Sequence, residues 1–248
     1  MGVLNVTPDS FSDGGQWLDR DSAVLHGVEM FAEGADVVDV GGESTRPGAE
    51  PVSVAEELAR VVPVVEALSR HGRVSVDTRK AEVAEAAVGA GATLVNDVSA
   101  SLHEVAAGLG VGWVAMHMRG EPATMQDEPS YDDVVGEVRN FLVQRAERAT
   151  AAGVEEVWID PGIGFGKTID HNLALLRHLD VLTATGLPVV VGTSRKSFLG
   201  KLTDGEVDDR FEGSLATSTW AMIEGASMVR VHDVRPAVQA SWLVGDVT

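Results

Sequence analysis

Residues 187–201 read LPVVVGTSRKSFLGK, and this stretch decides how the rest of the chain is interpreted. Four apolar positions, 188–191, follow a Gly-Leu-Pro turn and predict a short buried strand. The sequence then changes at once to Gly, Thr, Ser, Arg, Lys and Ser at positions 192–197. Hydroxyl and cationic side chains at the end of a buried strand are typical of a binding site in a barrel enzyme, but a solvated loop can share this composition. The other strands must therefore decide between the two interpretations.

The same change from apolar strand to polar loop recurs along the chain, with helical stretches in between. Strands are predicted at 3–6, 36–40, 74–77, 93–96, 113–118, 157–160, 189–192 and 228–231. Helices are predicted at 22–33, 54–69, 81–89, 103–109, 132–152, 171–185, 210–224 and 236–243. This alternation favours an α/β fold, a (β/α)₈ (TIM) barrel, over a doubly wound open sheet, because no GxGxxG pattern follows the first strand.

One domain covering residues 1–248 is predicted, because neither a linker nor a low-complexity run divides the chain. The acidic segment 121–131 is interpreted as an insertion over one mouth of the barrel. With 19 basic and 38 acidic residues, the formal charge of −19 argues against nucleic acid and anionic membranes as partners. The chain contains no cysteine, no signal peptide and no membrane-spanning apolar run, which predicts a cytoplasmic protein.

Polar side chains stand at the ends of all eight predicted strands. They are Asn5, Asp39, Asp77, Asn96, His117, Asp160, Lys196 and, after the last strand, Arg230 and His232. A single aspartate in such a place can be a helix N-cap. Eight strand ends of this kind are better explained by an active site, because the carboxyl ends of barrel strands face one mouth.

The residue types indicate what this mouth could bind. Asp77, Asn96, Asp160 and Lys196 offer acceptors, an amide and a cation, which suit the edge of a flat, nitrogen-rich heterocycle. Three further residues lie on the first and last strands, which are neighbours in a closed barrel: Asn5, Arg230 and His232. Arginine suits phosphate, and an asparagine oxygen suits Mg²⁺. For His232, a purely structural role remains the alternative.

Long motifs in this order and spacing resemble the dihydropteroate synthases. They are MGVLNVTPDSFSDGG, VDVGGESTRPGA, SVDTRKAEVA, NDVS, MHMRGEPATMQ, DPGIGFGK, GTSRKSFLG and RVHDV, and they cover essentially the whole chain. The resemblance implies a (β/α)₈ barrel, a homodimer and a Mg²⁺ cofactor. It also implies the condensation of 6-hydroxymethyl-7,8-dihydropterin diphosphate with p-aminobenzoate in folate biosynthesis, the step that sulfonamides inhibit.

The resemblance also assigns residues. The pterin would be bound by Asp77, Asn96, Met116, Asp160, Phe165 and Lys196, and the diphosphate by Asn5, Arg230 and His232, with Asn5 also on the metal. The p-aminobenzoate pocket would comprise Phe11, Ser12, Thr45, Arg46, Pro47, Phe165 and Ser197. The implied catalytic set is Asn5, Asp9, Arg46, Lys196, Arg230 and His232.

Four features depart from the family pattern. The strand hairpin that usually precedes MGVLNVT is absent, Ala100 replaces the usual glycine after NDVS, and both the segment 101–112 and the last helix are short. Two other functions remain as alternatives. One is a pterin-binding methyltransferase barrel, which would not need the long first and second loops. The other is a catalytically idle relative that binds a pterin or a partner protein.

Overall fold

The structure, a computed structural model, describes residues 1–7, 15–44, 51–120, 124–203 and 209–244, without the side chains of 15–19. Its strands are β1 Gly2–Asn5, β2 Val37–Gly41, β3 Arg73–Asp77, β4 Leu94–Asp97, β5 Gly112–Met116, β6 Val157–Asp160, β7 Val190–Val191 and β8 Met228–Val229. Its helices are α1 Gly15–Ala32, α2 Val54–Leu68, α3 Ala81–Gly89, α4 His103–Leu109, α5 Val134–Ala152, α6 Ile169–Arg177, α7 Asp180–Thr183, α8 Ser197–Thr203, α9 Phe211–Ile223 and α10 Val234–Val244. Strands and helices thus alternate along the whole described chain.

The strands close into a ring. The first six form one parallel sheet in the order β1 to β6, and β7 pairs in parallel with β8. A parallel bridge between Ile159 and Val189 joins β6 to the β7 side, and a second bridge between Gly2 and Val231 joins the β8 side to β1. The Val3 amide donates to the Val231 carbonyl at 2.9 Å across this second seam. The predicted (β/α)₈ barrel is therefore confirmed, and the open sheet is excluded.

Alternation along the strands sorts side chains into the barrel interior and the helix-covered outside. An inner apolar cluster comprises Met1, Val37, Leu94, Val114 and Val190. Side chains two positions further along a strand point the same way. Beyond the apolar floor, the interior therefore becomes polar at Asp39 and Asn96.

Outside the barrel, a larger core lies between the strands and the helices. Val40, Val76 and Trp113 of the strands pack in it with Leu68 of α2 and Leu142 of α5, all almost completely buried. Ser53 caps α2 by accepting from the Glu56 amide. Burial of this apolar surface is the main force that holds the helices against the barrel.

A charged cluster ties the connection after β2 to α2 and α3. Glu57 is completely buried on α2 and accepts from the Thr78 hydroxyl at 2.7 Å and from Lys80 Nζ at 2.5 Å. The Lys80 ammonium also donates to Glu43 Oε2 at 3.1 Å and to the Val52 carbonyl at 2.8 Å. Lys80 thereby holds both ends of the segment that leads from β2 to α2.

One helical prediction was wrong, and one helix was missed. The single helix expected at 171–185 is two helices, because the helical conformation ends at His178, whose ψ is 36°. Helix α8 was not predicted, because Gly200 and the polar residues at both ends weaken the helical pattern of SFLGKLT. None of the described helices is long and apolar enough to cross a bilayer.

Candidate active site

Strand register brings the predicted residues to one level of the barrel. Asn5 on β1 is the register partner of Gly41, Gly41 of Asp77, and Asp77 of Asn96. On the other side of the ring, Met116 of β5 is the partner of Asp160 of β6. Because all of these strands are parallel, the side chains lie at the same carboxyl-terminal mouth.

Arg230 is the centre of the polar network in this mouth. Its Nε donates to Asp39 Oδ2 at 2.7 Å, and its Nη2 donates to Asp77 Oδ2 at 2.8 Å. Asn96 Nδ2 donates to the same oxygen of Asp39 at 2.9 Å. The Arg230 guanidinium thus joins β2 to β3, and one predicted pterin residue, Asp77, lies directly against a predicted diphosphate residue, while Asn96 is linked to Arg230 through Asp39.

Asp39 belongs to this polar network, although no binding role was predicted for it from the sequence. It was noted as a strand end, but it is completely buried at the centre of the network. Its Oδ1 has no hydrogen-bond partner within the described part of the chain. The signal that could have identified it is its inward position, two residues beyond Val37 of the inner cluster.

Asp160 and Lys196 form the opposite wall. Asp160 Oδ1 accepts from the Gly162 amide at 2.7 Å. Lys196 Nζ donates to the Ile163 carbonyl and lies 4.6 Å from the centroid of the Phe165 ring. The amine and the aromatic ring are therefore arranged to contact a flat ligand from one side.

Glycines at the strand ends show how close the two walls are. A Cβ atom on Gly192 would stand 3.6 Å from Arg230 Cβ and 3.8 Å from Lys196 Nζ. A Cβ atom on Gly41 would stand 3.7 Å from both Asn5 Oδ1 and Asp77 Oδ2. The side chains of Asn5, Asp77, Lys196 and Arg230 therefore surround one space.

The remaining assigned residues differ in their placement. His232 lies beside Ser194, whose Oγ is 3.0 Å from His232 Nδ1 and accepts from the His232 amide at 3.2 Å. Met116 is buried on β5, and Ser197 is exposed at the first position of α8. The loop residues Asp9, Phe11, Ser12, Thr45, Arg46 and Pro47 lie outside the described residues.

Burial changes the acid–base properties of the mouth. It raises the pKa of Asp77 to about 7, against the opposing charge of Arg230. Burial likewise raises the pKa of Asp160 and lowers that of Lys196 to about 8, while each opposes the shift of the other. Burial also acts to lower the pKa of Arg230, but Asp39 and Asp77 raise it above its usual value. A permanent cation thus faces Asp77, whose pKa lies near neutral pH.

The described residues offer few ligands for a metal ion. No group of three or more His, Asp or Glu side chains gathers in a metal-binding arrangement among the described residues. Asn5 offers an amide oxygen beside Asp77 Oδ2. Mg²⁺ commonly combines one or two protein oxygens with water and substrate phosphates, so this donor set fits Mg²⁺ only together with a phosphorylated substrate.

The fold and the mouth together define a (β/α)₈-barrel enzyme with a buried polar site at the carboxyl ends of its strands. The model of the pterin-binding enzyme family matches residues 1–232. The dihydropteroate synthase of Mycobacterium leprae (strain TN) is 51% identical over 260 residues, covering 99% of this chain and 92% of that protein.

Two solved structures of dihydropteroate synthases agree with this match. The Yersinia pestis enzyme, in a sulfonamide drug complex, has a TM-score of 0.93 and 46% identity, covering 99% of this chain and 92% of that one. The Xanthomonas albilineans enzyme with 4-aminobenzoic acid has a TM-score of 0.92 and 47% identity, covering 100% and 93%. The chain belongs to the pterin-binding enzyme family, in its dihydropteroate synthase group, as the motifs predicted.

Proposed function

We propose that the chain condenses 6-hydroxymethyl-7,8-dihydropterin diphosphate with p-aminobenzoate to 7,8-dihydropteroate and pyrophosphate, a transferase step of folate biosynthesis. The observation that carries this proposal is the double ion pair of Arg230 with Asp39 and Asp77. It places a guanidinium suited to a diphosphate directly beside carboxylates suited to a pterin. The dihydropteroate synthases described above support the same reaction.

The pterin ring would bind between the two walls of the mouth. Asp77 and Asp160 accept N–H bonds from the ring, Asn96 both donates and accepts, and Lys196 donates to a ring acceptor. The ring of Phe165 lies 4.6 Å from Lys196 Nζ and offers an apolar face. Because these groups are buried, their hydrogen bonds act in a low dielectric and orient the ring strongly.

Bond breaking would precede or accompany bond formation, because an aniline is a weak nucleophile. The C–O bond at the pterin methylene breaks, and its electron pair leaves with pyrophosphate. The positive charge that remains spreads into the ring, where the carboxylates of Asp77 and Asp160 stabilise it. The aniline nitrogen then forms the new C–N bond and releases a proton.

The leaving group would be stabilised by Arg230, His232 and Asn5. A guanidinium has five N–H donors, and the contacts with Asp39 and Asp77 engage two of them. Arg230 can therefore bind a diphosphate oxygen and still contact the carboxylates. Asn5 would hold Mg²⁺ together with diphosphate oxygens, and the bound ion would supply charge neutralisation on the leaving group.

The p-aminobenzoate side would involve Ser197 and Phe165 with the six assigned loop residues. Ser197 is exposed at the start of α8 and only one residue from Lys196, so its hydroxyl can receive the carboxylate of this substrate. We also infer that the protein acts in the cytoplasm, since an acidic chain without cysteine suits a reducing compartment.

A homodimer is part of the proposal. Helices α9 and α10 expose Trp220, Ile223, Trp242 and Leu243, of which the last two are 74% and 82% exposed. A second copy of the chain would cover these apolar side chains. Sedimentation velocity should show a dimer for the wild type and a monomer for Trp242→Glu. A monomeric wild type would contradict the dimer and leave the reaction untouched.

A turnover assay tests the reaction. Purified protein with Mg²⁺ should form dihydropteroate only when both substrates are present, and a sulfonamide should compete with p-aminobenzoate. Pyrophosphate release that ignores p-aminobenzoate would refute the proposal. Pterin binding without turnover would instead indicate the idle relative, and methyl transfer from methyltetrahydrofolate would indicate the methyltransferase.

A further inference from the structure

Lys167, the last residue of the DPGIGFGK segment, has a side chain that the reaction above does not use. It is only 2% exposed. Its ammonium donates to the carbonyls of Gly162 at 2.9 Å, Phe165 at 3.0 Å and His117 at 3.3 Å, and it lies 3.0 Å from His117 Nδ1. Burial lowers the pKa of Lys167 to about 7, so the protein bears an energetic cost to keep this cation inside.

The loop between Asp160 and Lys167 presses against the end of β5. Gly162 and Gly166 have φ angles of +64° and +61°. A Cβ atom would stand 1.9 Å from the His117 carbonyl oxygen at the first position and 2.2 Å from that of Arg119 at the second. Only glycine allows the two backbones to approach so closely. This approach brings carbonyl oxygens close together, and the Lys167 ammonium donates to three of them.

Other side chains hold the outer part of the same loop. The Gly164 amide donates to Asn172 Oδ1 at 2.7 Å, and its carbonyl accepts from Gln126 Nε2 at 2.7 Å. The Gly166 carbonyl accepts from the Tyr131 hydroxyl at 2.8 Å. These three partners hold Gly164 and Gly166, whereas Lys167 connects the loop to His117 at the end of β5.

The groups that Lys167 holds are those that shape one wall of the mouth. The Gly162 amide donates to Asp160 Oδ1, and the Ile163 carbonyl accepts from Lys196 Nζ. The Ile163 carbonyl lies between the two loop carbonyls that Lys167 binds, and the Gly162 amide belongs to the same residue as the first of them. The Phe165 ring, whose own carbonyl is one of the two, faces Lys196. A shift of the loop would therefore move Asp160, Lys196 and Phe165 together.

We propose that Lys167 is a positioning residue for the pterin: it fixes the loop that orients Asp160, Lys196 and Phe165, without contacting the substrate itself. The proposal deepens the proposed function and rests on it. A direct proton-transfer role does not fit the geometry, because the ammonium is enclosed and directs its protons at backbone carbonyls. A charge-only role would not need three carbonyl contacts from two separate segments.

Replacement of Lys167 by methionine tests this proposal. Methionine keeps much of the volume and removes the N–H donors. The probe is 6-hydroxymethylpterin, titrated by calorimetry into protein whose folded state is checked by circular dichroism. We expect affinity to fall about tenfold, the scale of one lost buried hydrogen-bonding group. In turnover, the KM for the pterin diphosphate should rise more than kcat falls. Lys201→Met, at an exposed position on α8, is the control and should bind as the wild type does.

Chemical rescue separates positioning from general stability. Lys167→Ala leaves three carbonyl oxygens around an open space, and ammonium chloride should restore part of the lost affinity. Tetramethylammonium chloride at the same concentration should not, since it has no N–H donor. A folded Lys167→Met protein that binds the probe within about twofold of the wild type would overturn the proposal. Where Lys167→Met does not fold, Lys167→Gln decides by the same criterion.

The outcomes distinguish this proposal from the proposed function. Wild-type turnover combined with unaltered pterin binding by the folded Lys167 variants would refute the positioning role alone. A wild-type protein that binds neither the probe nor the pterin diphosphate would refute the proposed function, and the positioning role with it.

Discussion

Arg230→Met removes the guanidinium that bonds both Asp39 and Asp77, and its effect on stability can be worked out from the geometry. The side chain of Arg230 is 20% exposed, whereas those of Asp39 and Asp77 are 0% and 14% exposed. Removal of one partner from a buried ion pair costs about 3–5 kcal/mol. Because Arg230 is partly exposed, we expect the lower end of this range, about 3 kcal/mol, at a pH above 8.

The loss of stability in Arg230→Met should depend on pH, and the titration of Asp77 determines whether it grows or shrinks as the pH rises. Burial raises its folded-state pKa to about 7, above the ordinary value of 3.8. The folded state therefore keeps a proton that the unfolded state releases, and stability falls as the pH rises toward the folded pKa. Arg230 opposes the shift, so its removal raises the folded pKa further and extends this fall above pH 7. The deficit of the variant should be smaller near pH 6 and should grow above pH 7, by at most about 1.4 kcal/mol per pH unit.

Urea unfolding followed by circular dichroism, at about pH 6 and about pH 8.5, measures both effects. Arg195→Met is the matched control, because it removes an arginine from a surface pair with Asp233 in which the two side chains are 45% and 31% exposed. That variant should lose no more than about 1 kcal/mol. An Arg230→Met protein within about 1 kcal/mol of the wild type at the higher pH would refute the reasoning, as would a deficit that shrinks as the pH rises.

Three further predictions concern the loop, the pterin and the charged cluster. Gly162→Ala should lower the free energy of unfolding in urea by at least about 3 kcal/mol, whereas Gly186→Ala should lower it by about 1–2 kcal/mol. Both glycines have positive φ, but nothing lies within 4 Å of a Cβ atom at Gly186. The affinity for 6-hydroxymethylpterin, measured by calorimetry, should decrease as the pH falls below about 7, by at most tenfold per pH unit, because protonation removes an acceptor from Asp77. Asp77→Asn should bind the pterin more weakly, with an affinity that depends less on pH. Lys80→Met should destabilise the fold by about 3 kcal/mol in thermal unfolding, because Glu57 is completely buried, and the double variant with Glu57→Met should recover part of the loss.

Each of these predictions can fail separately. Equal costs for Gly162→Ala and Gly186→Ala would show that the chain beside Gly162 moves aside without penalty. A pterin affinity that stays constant from pH 5 to pH 8 would exclude Asp77 as the group that titrates. A double variant at positions 57 and 80 that is no more stable than Lys80→Met would show that Glu57 finds another partner.

The sequence predicted the barrel and the convergence of its site because both follow from periodic patterns. Apolar strands that alternate with helices specify a parallel barrel, and parallel strands place their carboxyl ends at one mouth. Asp77 and Asp160 could therefore be assigned to one site although 83 positions separate them along the chain. The positions of strand ends suffice for this inference.

Pairing between side chains could not be predicted in the same way. Strand ends do not reveal that Arg230 takes Asp39 and Asp77 as partners, since that choice depends on ring closure and on distances within the mouth. Lys167 follows a glycine-rich run typical of an exposed loop, and its burial depends on contacts with His117, 50 residues away. The break of the helix at His178 was likewise not evident from the helical pattern of residues 171–185.

The eight strands of the barrel differ in length, and this affects how the barrel responds to a bound ligand. β7 and β8 have two residues each, and backbone hydrogen bonds from Met1 to Val229, Val231 to Met1 and Val3 to Val231 close the ring beside them. Lys196 follows β7 and Arg230 follows β8, the two shortest strands. The two shortest strands thus carry the cations that would bind the substrate, and a bound anion would link them and stiffen this part of the barrel wall.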